Sequence, residues 1–232
     1  FHNYRAKINA IWEDFGDKAI KGRIPTSGYV PRFRNVYRQE TDFLRGYASG
    51  FGASRWKEGG EPTGFGETLR DSILGTKPEF KGPWRINSHM MGATIPKESN
   101  YVKLDDVQVD DWGMPLIKIS MDYDENDEKM IQDFFIQFTE MYEKAGFTDI
   151  TTRDTKQAAG LDIHEMGGVR MGHDPETSLL NQWNQLHSCK NVFVTDGACM
   201  TSTSTQNPSL TYMAIAARAA DFAVQALKKD EI

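Results

Sequence analysis

Cysteine is scarce in this 232-residue chain: Cys189 and Cys199 are the only two. Two thiols ten residues apart make no disulfide scaffold, and their spacing suits no zinc or iron–sulfur site. Basic charge is also in deficit. With 27 Lys and Arg against 33 Asp and Glu, the net charge is -6, the wrong sign for a surface that must neutralise phosphates, so a nucleic-acid partner is not expected. No apolar run is long enough to span a bilayer, and the opening FHNYRAKINA lacks the pattern of a signal peptide. Phe1 in place of an initiator Met leads us to expect polypeptide upstream. The histidines do not form a ligand set either, because His164, His173 and His187 are spread through turn-rich sequence without metal-binding spacing. There are no internal repeats and no low-complexity linker.

What is present is ordinary globular composition, 39% hydrophobic and 26% charged, in a chain long enough to bury a core. Ile8, Ile11, Trp12 and Phe15 share a helical spacing, which predicts a helix over residues 1–20 with Gly22 as its stop. GYVPRFRNVY and DFLRGYASGFG, between Arg23 and Phe51, read as strands of an antiparallel sheet. Residues 53–83, centred on EGGEPTGFGE, read as loop with one short helix near Glu67 to Leu74. WRINSHMMGAT (84–94) returns to strand. Val102 and Leu104 alternate with Tyr101, Lys103 and Asp105, predicting a strand with one buried face; DDWGMP is a turn and LIKISMDY its partner strand. From Asp124 to Gly146, Met130, Ile131, Phe134, Phe135, Phe138, Met141, Tyr142 and Ala145 recur every three or four residues, a helix that Gly146 should end. NVFVT (191–195) reads as a short buried strand. A last helix opens at Pro208, and Ala214, Ala216, Ala217, Ala219 and Ala220 would let it pack closely. The hydrophobic period alternates between two and 3.6, so the fold class is α+β, an antiparallel sheet flanked by helices.

Three short segments near the end carry the chemistry. HEMGGVRMGHDP places His164 before Gly167 and Gly168, glycines that permit an unusual backbone or a close approach to a ligand. A histidine so presented can take a proton from a substrate hydroxyl, although a single histidine is as readily a structural, hydrogen-bonded residue. NVFVTDGACM ends a strand in Asp196-Gly197, which is either an ordinary turn or a ligand-facing strand end. Asn207-Pro208 is a favoured helix start in its own right, and the same N-terminus offers free N–H groups and positive potential to a developing negative charge.

In this order the three segments resemble the C-terminal signature of the glucose-methanol-choline (GMC) oxidoreductases, and IPKESNYVKLDD with DDWGMPLIKISMDYDEND is similar to that family's substrate domain. The resemblance covers about the last 140 residues, and its wording is closest to bacterial sugar or glycoside dehydrogenases. It implies a catalytic base at His164 and a hydroxyl-orienting partner at Asn207. It also implies FAD as hydride acceptor, with Asp196 and Gly197 near its ribityl or pyrophosphate region. Asn207, Pro208 and the backbone of Ser209 and Leu210 would lie at the pyrimidine end of its ring. Residues 1–160 would be the substrate-binding domain and 161–232 the segment completing the flavin domain. The implied partners are a small sugar or alcohol and an electron acceptor, either oxygen, a quinone, or an acceptor subunit or cytochrome. The sequence has no GxGxxG turn: GFG at 50–52 runs into Ala53, Ser54 and Arg55, and GFGE at 64–67 lacks a strand–turn–helix setting. Most of the FAD cradle is therefore expected on an N-terminal half not contained here, and the fragment alone is expected to be inactive. The alternatives are a carbohydrate-binding module without catalysis and a folded fragment without activity.

Overall fold

The computed structural model describes residues 1–13, 27–55, 66, 70, 83–161 and 163–232. In chain order these form β1 (His2–Asn3), β2 (Ala6–Trp12), β3 (Ser27–Val30), β4 (Tyr47–Arg55), β5 (Trp84–Ala93), β6 (Tyr101–Val109) and β7 (Pro115–Ser120). Then follow α1 (Glu125–Lys144), β8 (Thr148–Asp154), a 3-10 turn (Gly197–Cys199) and α2 (Ser209–Lys228). The fold is α+β. The main sheet runs β3-β4-β5-β2-β8, with β1 also on β5, and every pairing is antiparallel.

The sheet has one apolar and one polar face. On β2, Ala6, Ile8 and Ala10 are buried while Lys7 and Asn9 alternate with them on the other side. The apolar face receives α1, whose Met130, Ile131, Phe134, Phe138 and Tyr142 are all buried in one cluster with β2, Tyr47 and Met90. Phe134 and Phe138 stack at 4.3 Å between ring centroids. Both ends of α1 are specified locally. Asp124 accepts from the Asp127 N–H while Asp127 accepts from the Asp124 N–H, a reciprocal cap at 3.3 and 3.2 Å. Gly146, at φ +83°, takes the left-handed turn just past the end.

The first twelve residues are not helical. They form β1 and β2, and the remainder of the expected helix lies outside the described residues. The period-two signal was carried by Ala6 and Ala10, which add little hydrophobicity. The strand is fixed by ladders to β5 on one side and β8 on the other. Residues 53–55 extend β4; of the expected helix at 67–74 only Arg70 is described, and it is helical, its N–H donating to the Gly66 carbonyl at 3.0 Å. The β6–β7 hairpin forms as expected, but it has no buried face: Val102, Leu104, Ile117 and Ile119 are all exposed. β8 was not anticipated, because TDITTRD has only Ile150 as a large apolar residue.

NVFVT is not a strand of a sheet. It is held by single bonds to the neighbouring turn, Leu186 N–H to the Val192 carbonyl and Val194 N–H to the Asn184 carbonyl, both 3.0 Å, and Val192 is exposed. α2 packs through Phe222, stacked on Trp183 at 4.9 Å. Of its small residues only Ala219 and Ala226 are buried, and Leu210, Met213 and Leu227 are exposed. The expected close packing of the other alanines is not made among the described residues.

Candidate functional site

The His164 segment is shaped by backbone contacts with the Asp196 segment. N–H groups of Gly167, Val169 and Met171 donate in turn to the carbonyls of Gly197, Ala198 and Cys199 at 3.3, 3.1 and 3.0 Å. Asp196 caps the 3-10 turn by accepting from the Ala198 N–H at 2.9 Å, so the two motifs, more than 25 residues apart, form one unit. His164 is at φ +72°, a left-handed conformation that costs a non-glycine residue about 1 kcal/mol. Gly167 and Gly168 follow at φ +91° and +89°. Gly197 is required for another reason: a Cβ there would stand 2.7 Å from the Glu165 carbonyl oxygen and 2.9 Å from the Tyr212 hydroxyl. Gly197→Ala should therefore displace the His164 segment and lower stability by about 1–3 kcal/mol. Denaturant unfolding measures this, and an unchanged midpoint would show that the contact yields freely.

The His164 ring meets residues from the other end of the chain. Its Nδ1 lies 3.1 Å from His2 Nδ1 and 3.4 Å from the Tyr4 hydroxyl, which is itself 2.9 Å from His2 Nδ1. His2 is fully buried and its Nε2 has no hydrogen-bond partner. Burial, then the neighbouring His164, push the His2 pKa down to about 4, so this ring is neutral near pH 7. Burial also lowers the His164 pKa from its ordinary value, which keeps the proton-accepting form populated. Two neutral rings meeting Nδ1 to Nδ1 must differ in tautomer, since one of those nitrogens carries a hydrogen and the other does not. Sequence reading missed His2 and Tyr4. Only their place at the start of the strand layer brings them to a residue 160 positions later.

The polar face of the sheet floors an open cleft of about 870 Å³. Register places its groups in rows. Tyr29 pairs with Gly50, Gly50 with His89 and His89 with Lys7; beside them Asn87 pairs with Asn9. Gly50 is needed here because a Cβ would come within 2.9 Å of the His89 ring. Tyr4, Ile163, Gln206 and Asn207 line the walls, and Tyr29 ties floor to wall by donating to the Thr205 carbonyl at 3.4 Å.

The site residues expected from sequence are thus distributed as follows. Asn207 lines the cleft. His164 is not part of the lining, but it directly follows Ile163 and contacts Tyr4, which both are. Asn207 does not cap α2. The cap position is Pro208, no side chain caps the helix, and Ser209 and Leu210 are exposed in its first turn. Asp196 and Gly197 are used structurally, as cap and close-packed turn. His187 is held by the Gly172 carbonyl and Ser178, and no metal-binding group occurs among the described residues. The flavin implied by the resemblance fits this arrangement. An uncapped N-terminus of a 20-residue helix adjoins a cleft wall and suits an anionic reduced ring. Glu165 Oε1, buried beside His164, receives no hydrogen bond from the protein.

Comparison with known proteins agrees with this architecture. A family model described as GMC oxidoreductase matches residues 96–216. The 2-methyl-1,2-propanediol dehydrogenase of Mycolicibacterium austroafricanum is 30% identical over 199 residues, 78% of this chain and 34% of that protein. Paromamine 6'-oxidase of Streptomyces fradiae is 34% identical over 166 residues, covering 68% and 29%. The gluconate 2-dehydrogenase flavoprotein of Pantoea cypripedii is 28% identical over 130 residues, covering 53% and 21%. The chain spans about a third or less of the length of these relatives.

Proposed function

Because the chain belongs to the GMC oxidoreductase family, we propose that it is the C-terminal part of an FAD-dependent enzyme that oxidises a CH–OH group of a sugar, glycoside or polyol. The remaining cradle for FAD would come from further polypeptide, since the aligned stretch covers only 34% and 29% of two relatives and this sequence has no GxGxxG turn. The observation that carries the reading is a cleft floored by Asn9, Asn87, His89 and Lys7, with Asn207 on its wall and His164 one contact behind it through Tyr4. Such a floor of amides and an imidazole matches a polyhydroxylated ligand.

In the proposed reaction His164 removes the hydroxyl proton and Asn207 holds the oxygen through its carboxamide. The alcohol would thereby lose its hydroxyl proton to His164 and, were FAD bound, a hydride to it, leaving a carbonyl compound. FAD, when bound, supplies the hydride acceptor, and the N-terminus of α2 favours its added negative charge. The base role requires one tautomer of the His2–Tyr4–His164 cluster. In it Tyr4 donates to His2 Nδ1, His164 donates from Nδ1 to the Tyr4 oxygen, and the lone pair of His164 Nε2 stays free as the base. Electrons leave to oxygen, a quinone, or an acceptor subunit or cytochrome.

The test is anaerobic mixing of the full-length, FAD-loaded protein with polyols while flavin absorbance is followed. Bleaching is expected, and its rate should fall in acid as His164 protonates. That limb should lie below the ordinary histidine value of 6.5, because burial lowers this pKa. No bleaching with any sugar or polyol would leave a binding module as the better account.

A further inference from the structure

We infer that the cleft selects substrates carrying a carboxylate, and that Lys7, supported by Arg153, is the anion-recognising group. This inference rests on the oxidation reading above and narrows its substrate class to sugar acids.

Lys7 lines the cleft, and no Asp or Glu is found among the described residues of its lining. That is a local inversion in a chain of net charge -6. Across the sheet, Lys7 is the register partner of His89 on one side and of Arg153 on the other. Alternation therefore sets Lys7 and Arg153 on the same face as adjacent cations. Two like charges side by side repel each other, and a neutral polyol does nothing to relieve this. Lys156 and Arg5 on neighbouring positions are both committed to Asp154, whereas Lys7 and Arg153 make no ion pair among the described residues.

The spacing suits a sugar chain. Tyr4, which contacts His164, and Lys7 line the same cleft three positions apart in the chain, which limits their Cα separation to at most about 10 Å. A six-carbon acid can place its carboxylate at Lys7 and a distant carbinol near the His164–Asn207 end, with Asn9 and Asn87 available to the hydroxyls between. An ammonium beside a guanidinium offers one carboxylate donors from both sides.

The experiment compares galactonate, galactitol and galactitol 1-phosphate as reductants of the full-length, FAD-loaded protein, with parallel calorimetric binding. Galactonate should be preferred over galactitol. The preference should fall roughly tenfold in Lys7→Met, less in Arg153→Met, and should weaken as salt is raised. Galactitol reacting as well as galactonate, or a preference indifferent to Lys7→Met and to salt, would overturn the inference while leaving the oxidation reading intact. Superiority of the phosphate would also overturn it, replacing the carboxylate with another anion. If no compound reduces the flavin, the oxidation reading fails, and calorimetry alone decides whether galactonate binds through Lys7.

Discussion

Replacing His164 by alanine in the FAD-loaded protein should slow substrate-driven flavin reduction by about 10²–10⁴-fold, with the flavin still bound. The size follows from the role. A positioned base removes a hydroxyl proton that water removes poorly, and no second group in the contact set can take over. His2 is sealed and already bonded through Nδ1. Tyr4 is a phenol, which serves as a base only when ionised. Stopped-flow reduction with the flavin content measured in parallel is the check. A rate within about threefold of wild type would remove His164 from the chemistry. Loss of flavin together with rate would instead make it part of the cofactor cradle.

Arg5→Met should lower the unfolding free energy by about 3 kcal/mol. The Arg5 side chain is only 6% exposed and joins three elements. Its Nε and Nη2 donate to both oxygens of Asp154 at the end of β8, at 3.1 and 2.6 Å. Nη1 donates to Glu128 on α1, and the guanidinium lies 5.1 Å from the centre of the Tyr123 ring. Most of the loss belongs to Asp154, which is 16% exposed and would be left without its bidentate partner; Glu128, at 48%, can turn to water. Burial by itself would raise the Asp154 pKa, but Arg5 and then Lys156 outweigh it and hold the carboxyl well below the usual range. That stabilisation is complete above the unfolded carboxylate value near 3.8 and disappears as acid protonates the folded group. The gap between wild type and Arg5→Met should therefore narrow as pH falls below about 4. Arg5→Lys should recover only part of the loss, because an ammonium cannot match both oxygens in a fork. Urea unfolding at neutral and acid pH measures both effects, and a neutral-pH loss under about 1 kcal/mol would show that the pair is not a clasp.

Where the chain states its own local rules, sequence was sufficient. The Asp124–Asp127 cap, the apolar stripe of Met130 to Tyr142 and the glycine at 146 specify α1 without reference to any other segment. The turn in DDWGMP specifies the β6–β7 hairpin, and the order of the His164, Asp196 and Asn207 segments pointed to the family. Partner-dependent features were out of reach. β2 is a strand because β5 and β8 pair with it, a ladder energy absent from the local pattern of Ala6 to Trp12. NVFVT lacks a ladder on either side and is only pinned to the 184–186 turn, so strong β-propensity does not make it a strand.

The motif from His164 to Ala220 was visible as a likeness, with Asp196, Gly197 and Asn207 as marks along it. What surrounds His164 was decided by tertiary structure. His2 and Tyr4 reach it because the sheet returns the start of the chain to a loop formed 160 residues later. Lys7, Asn9, Asn87 and His89 share one floor because antiparallel register sets residues from distant strands side by side. Sequence determines which local conformations and chemical groups are available, through interactions between near neighbours. The grouping of those side chains into a cleft comes from long-range pairing and burial, whose free energy exists only once the whole sheet has formed.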